Sequence, residues 1–209
     1  MSIADIITNS KCPFAKLAKL SEPIIVDSLD VYALVEKNSK IISDFFVRNR
    51  ITEYDALCFI FTVPEFGDTI DNLSKHTYRF LKALQKQFGG FEIPEEIKDY
   101  NETYWPAIEG ERFFMISFAS CYPPDSPRFN HGDQATYILL QPVSSFERHA
   151  KDGNAITDVM RSKIRNLFAA NGQPYDSNIS CLKNELVKMV APLTIGDQLV
   201  EWWKCADKN

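Results

Sequence analysis

Three short, largely apolar runs constrain this chain more than any other feature: 57–63 (LCFIFTV), 112–118 (RFFMISF) and 135–141 (ATYILLQ). Each has strand length, is rich in β-branched and aromatic side chains, and ends near Pro, Gly or polar residues. That is the pattern of strands buried on both faces. The segments between them have a different period. Over 27–48, Val31, Leu34, Val35, Ile42, Phe45 and Phe46 recur at helical spacing. Asp68 offers an N-cap to a long helix whose apolar stripe includes Ile70, Leu73, Phe80, Leu81, Leu84 and Phe88, closed by Gly89-Gly90. Helical spacing returns over 152–170. Shorter helical pieces are predicted at 11–20, with Pro13 in the first turn, and at 182–190 and 199–203. The first two strands, joined through a helix, are expected to run parallel with a right-handed crossover, and the third antiparallel to the second. No repeat or linker interrupts the order. The prediction is an α+β fold, one domain over 1–209, with a small mixed β-sheet packed against several helices.

Charge and cysteine usage narrow the function classes. Lys+Arg number 23 against 28 Asp+Glu, for a net charge of −5. An acidic chain of this kind is not a general nucleic-acid binder, because neutralising phosphates requires clustered cations. No apolar window reaches membrane-spanning length, and the first ten residues lack a basic segment followed by an apolar one. A cytoplasmic protein is expected. The five cysteines, Cys12, Cys58, Cys121, Cys181 and Cys205, are scattered and odd in number, so neither a disulfide framework nor a structural zinc site is favoured. Aromatic residues make up 12%. They supply either a Phe-rich core or the walls of a pocket for a flat cofactor.

No standard nucleotide, zinc-protease, calcium or serine-hydrolase motif is present. His76 is read as a solvated residue away from the apolar stripe of its helix, and His149 as a surface residue or an anion contact. His131, in the turn PRFNHGD, is the histidine best placed to act. The loop 119–134, about 16 residues long, exceeds ordinary hairpin connections, and loops of that size are commonly functional or mobile. Its segment SCYPPDSPRF carries Cys121, Tyr122, Ser126 and Arg128 on a backbone stiffened by Pro123, Pro124 and Pro127. Cys121 reads as an inert packed residue, a nucleophile in need of a base such as His131, or a thiolate ligand. The stretch 148–165 has surplus positive charge from Arg148, Lys151, Arg161, Lys163 and Arg165. It is either a solvated face or a carboxylate-binding one.

Several separated pieces resemble the YqcI/YcgG family: CPFAK at 12–16, FFMISFASCYPPDSPRF at 113–129, and YILLQP at 137–142 followed by Ser145-Phe146-Glu147-Arg148. The helix with Ile164-Arg165 and the loop Gln173-Pro174-Tyr175-Asp176 extend the likeness over roughly 10–205. It implies haem b (iron protoporphyrin IX), O2, an electron donor and a monooxygenase that hydroxylates a nitrogen of a guanidine- or amino-acid-like small molecule. It also leaves room for a homodimer. Relatives carry a histidine in the loop after the strand, where this chain has Cys121. By that likeness Cys121 is the iron ligand, His131 takes over, or haem has been lost. Arg128 and Arg148 are then expected at propionates or a substrate carboxylate, and Tyr122, Phe118 and Trp105 on the pocket wall, with Cys12 a further wall residue. Asp125 or Glu109 would receive a guanidinium.

Overall fold

A computed structural model describes residues 3–48, 54–149 and 157–205. The three apolar runs form strands β2 (Leu57–Phe61), β4 (Glu111–Phe118) and β5 (Thr136–Pro142), joined by two shorter ones, β1 (Ile24–Val26) and β3 (Ala107–Ile108). Their order across the sheet is β1-β2-β5-β4-β3. β1 pairs parallel with β2, and the other pairings are antiparallel, so the sheet is mixed. β4 and β5 pair antiparallel, as the sequence predicts. β2 and β4 do run in the same direction, but β5 lies between them, so they are not neighbours. The α+β class holds.

One face of the sheet carries the main core. Helices α2 (Val31–Lys37), α3 (Ser39–Arg48) and α4 (Ile70–Phe88) supply its other wall. α4 is capped by Thr69, one residue after the predicted Asp68; its Oγ1 accepts the Asn72 N–H at 3.1 Å, and the helix ends at Gly89. The predicted single helix over 27–48 is two. Asn38 caps the first, and α3 starts at the next residue, which lets Phe45 and Phe46 turn into the core. Phe59 packs edge-on against Phe80 at 5.0 Å and Phe61 stacks on Phe66 at 3.8 Å. Most of the aromatic content is therefore core. His76 is also inside: it is 5% exposed and stacked on Phe66, contrary to the solvated position expected for it.

The predicted helix at 11–20 is absent. Residues 13–17 form successive turns, and Leu17 is exposed. A long-range contact decides this: Asp55 Oδ2 accepts the Lys19 N–H at 2.9 Å and the Asp55 N–H donates to the Lys19 carbonyl, drawing the chain out straight towards β1. The C-terminal helical pieces shrink to single turns at Leu186–Lys188 and Trp202–Lys204, with a one-turn α7 at Ser177–Ser180. α1 (Ile3–Asn9), α5 (Val143–His149) and α6 (Asp158–Ala170) complete the set; residues 152–156 of the predicted last long helix lie outside the described residues. No described helix is long and apolar enough to cross a membrane.

The outer edge of β4 is paired with β3 only at its start. Beyond that, residues 184–191 pack beside β4 on its core face: Ser117 Oγ donates to the Met189 carbonyl, and Arg128 Nη2 to the Lys188 carbonyl at 2.9 Å.

Candidate functional site

Strand alternation divides β4 between two environments. Phe113, Met115 and Ser117 are buried towards the main core, whereas Arg112, Phe114, Ile116 and Phe118 face the other side of the sheet with Leu139 and Gln141 of β5. That second side is incompletely filled. Between it, the turns at 12–18 and α6 lies a cavity of about 410 Å³, within the range of small-molecule and cofactor sites. Phe146 stacks on Phe114 at 5.0 Å and meets Phe14 edge-on, while Phe168 of α6 packs against Tyr175 at 4.9 Å. These rings and Ile164 make most of the wall apolar.

Two potential iron ligands line this cavity, Cys12 and Tyr175. The Cys12-Pro13-Phe14 turn, closed by the Ala15 N–H on the Cys12 carbonyl at 3.1 Å, places the thiol at the wall. Burial pushes the Cys12 thiol above its ordinary range, despite nearby backbone N–H groups that pull it down. Tyr175 is pushed up to about 12 by burial, with the Arg128 guanidinium opposing. Its hydroxyl has no hydrogen-bond partner among the described residues, so it is available to a ligand.

A second compartment of about 260 Å³ adjoins the first and shares Phe114, Ile116, Arg161, Tyr175 and Glu185, among others, with it. Its wall is still mainly apolar but carries more charged side chains, among them Asp125, Arg128, Arg165, Asp176 and Lys188. Arg165 Nη1 donates to Ser180 Oγ and Cys181 Sγ, Lys188 pairs with Glu185, and Asp176 caps α7 and accepts the Gly196 N–H. Burial lowers the Lys188 pKa, with Glu185 opposing.

The sequence-predicted site residues separate into three groups. Phe118, Trp105 and Cys12 line the apolar compartment, and Asp125, Ser126 and Arg128 the more charged one. Cys121 and Tyr122 belong to neither. Tyr122 is 1% exposed in the main core, its hydroxyl donating to the Ala191 carbonyl and accepting the Ala191 N–H. Cys121 packs on the same core and its N–H donates to the Gly67 carbonyl; burial raises its thiol to about 12. The first half of the loop thus closes onto the core, and only its second half reaches the cleft. His131, at φ +61° beside Phe129, also lies off both compartments.

The two arginines expected at an anion serve the fold. Arg128 is 8% exposed and spans the Lys188 and Ser117 carbonyls. Arg148 Nη2 pairs with Asp55 Oδ1 at 2.9 Å and also donates to the Tyr54 carbonyl. Glu109 sits at a hairpin tip, accepting from Ser43 Oγ at 2.8 Å, away from the cleft. The His149 side chain lies outside those described. Among the described residues, no three His, Cys, Asp or Glu side chains converge as a metal site; an axial haem ligand needs only one.

Arg112 lines the apolar compartment and was not singled out from the sequence. Its position comes from a tight hairpin in which Glu109 and Gly110 both have positive φ, 52° and 76°, as a two-residue type I′ turn requires. Ala107 pairs with Arg112, and the Arg112 guanidinium carbon sits 6.0 Å from the centre of the Trp105 ring. Gly110 hints at the turn, but no local signal marks Arg112 as a cavity residue. Compared with family models, curated proteins and solved structures, the chain matches none.

Proposed function

We propose that the cleft holds haem b and that the protein is a cytoplasmic haem-dependent monooxygenase-like enzyme acting on a nitrogen of a small guanidine- or amino-acid-like molecule. The observation that carries this reading is the apolar cavity of about 410 Å³ with a thiol and an unpartnered phenol on its wall. The resemblance to the YqcI/YcgG family supplies the identity of the cofactor; the cavity supplies somewhere for it to sit. The donor set fits, because thiolate and phenolate are both established haem-iron ligands. Cys12 is the better candidate of the two, and it displaces Cys121 and His131 in that role. Ligation would remove the proton that burial holds on its sulfur.

Haem, when bound, supplies the oxygen chemistry, and O2 and an electron donor are its co-reactants. The chain's own contribution is different. Phe114, Phe118, Phe146 and Phe168 exclude water from one side. Tyr175 stands where the two compartments meet and can hold a proton or orient a bound group. The second compartment carries both signs on its wall, Asp125 and Asp176 alongside Arg165 and Lys188 among others, and is suited to a zwitterionic, amino-acid-like substrate.

Titrating the purified protein with hemin tests the proposal. A Soret band at one haem per chain is expected, with the red-shifted ferrous–CO band of thiolate ligation. Cys12→Ser should remove that red shift, whereas Cys121→Ser should leave it intact. No Soret change with hemin removes the haem reading. Stoichiometric haem without O2- and reductant-dependent product leaves a haem carrier or sensor.

A further inference from the structure

We propose that Arg112 is the anion-reading residue of the cleft, so that its ligand is an amphiphile with an apolar aromatic body and a carboxylate or similar anion at the β3–β4 end. The proposal rests on the cleft being a ligand site but not on haem being its occupant.

Of the charged side chains facing the apolar compartment, the two acids are already answered. Asp55 is bound by Arg148 and by the Lys19 N–H, and Glu185 pairs with Lys188. Arg112 and Arg161 also line it. A guest in this compartment therefore meets the positive charge of Arg112. Arg112 is the one at the exposed rim, and its guanidinium donates to no protein acceptor among the described residues. It is nevertheless positioned, because the hairpin places Trp105 beneath it. A guanidinium seated on an indole keeps its N–H edge available for a forked pair of hydrogen bonds to a carboxylate. The adjacent Phe114 and Ile116, two and four residues along the same strand face, would receive the apolar body.

Two fluorescent probes with the same aromatic skeleton test this: anionic 1-anilinonaphthalene-8-sulfonate and uncharged N-phenyl-1-naphthylamine. Full-length protein should bind both, the anion more tightly. Arg112→Gln should weaken the anionic probe about tenfold, the scale of one lost charged hydrogen-bond pair, and leave the neutral probe unchanged; Arg112→Lys should recover part of the loss. Ile116→Trp, which fills the cleft, should remove both. Equal affinity of Arg112→Gln and wild type for the anionic probe overturns the proposal, as does a parallel loss of the neutral one or uptake of neither probe by wild type. Hemin in the same assay separates the two ideas. If it neither displaces the probes nor gives a Soret band, haem goes while the Arg112 result stands.

Discussion

Gly67 holds together two parts of the chain that are distant in sequence. Its carbonyl accepts the Cys121 N–H at 3.0 Å and the Ser120 hydroxyl at 3.3 Å, fastening the start of the 119–134 loop to the segment before α4. A β-carbon at Gly67 would lie 2.3 Å from Thr136 Oγ1 and 3.0 Å from Ala119 Cβ. Both neighbours are fully buried in strand or loop backbone. Thr136 cannot readily swing its hydroxyl aside, because a β-branched side chain in a strand has few rotamers and its own Cβ would be only 3.4 Å away. Relief requires a backbone shift of about 1 Å, which places Gly67→Ala at the upper part of the overpacking range, about 2 kcal/mol. In urea denaturation this lowers the midpoint by about 1 M at an unchanged m of about 2 kcal/mol/M. The double variant with Thr136→Ala isolates the cause: it should regain about 1 kcal/mol or more of coupling energy. A Gly67→Ala loss below about 0.5 kcal/mol, or a double variant with simply additive costs, refutes the steric argument.

Two further predictions concern titratable groups. Burial, then the nearby Arg79 and Lys75, lowers the His76 pKa below 6.5, with Asp68 opposing. The unfolded chain then binds the proton more readily than the folded one. Stability contributed by neutral His76 is complete above pH 6.5 and declines as pH falls through that value; His76→Gln should flatten the unfolding free energy between pH 7 and 5. Burial also raises Cys58 and Cys121 to about 12. Iodoacetamide at pH 8 followed by peptide mass mapping should therefore find exposed Cys181 modified and those two intact, because only the thiolate attacks.

The sheet was readable because its central strands are buried on both faces and so appear as continuous apolar runs. The same continuity concealed the cleft. With Phe113, Phe114, Met115 and Ile116 all apolar, nothing local distinguishes the residues that face the core from those that face a cavity. Cys12 and Tyr175 lie far apart in the chain and meet only through the fold. The extended path before β1 depends on Asp55, 36 residues beyond Lys19. His76 was misjudged for a related reason: its partner Phe66 lies outside its own helix, although Leu73, His76 and Phe80 share one helical face. Strand β1 is three residues long with Ile25 60% exposed, too short and too wet to declare itself. The ligand role came to Cys121 from the family resemblance, and its place after a strand says little about which side of the sheet the chain then takes.

The segment that lies along β4 beyond β3 has a consequence for the assembly state of any shortened chain. It is not a strand; Leu186, Val187, Met189 and Val190 anchor it in the main core, the Asn184 and Glu185 N–H groups donate to the Tyr100 and Tyr104 carbonyls, and Ser117, Arg128 and Tyr122 add side-chain hydrogen bonds. Removing the polypeptide from Asn184 onward would strip four side chains of that segment from the main core and bare an apolar surface next to the β4 edge, a template on which one molecule recruits another. The tail also carries Trp202 and Trp203, both buried in that core, so nicking within it should loosen the fold and seed oligomers together.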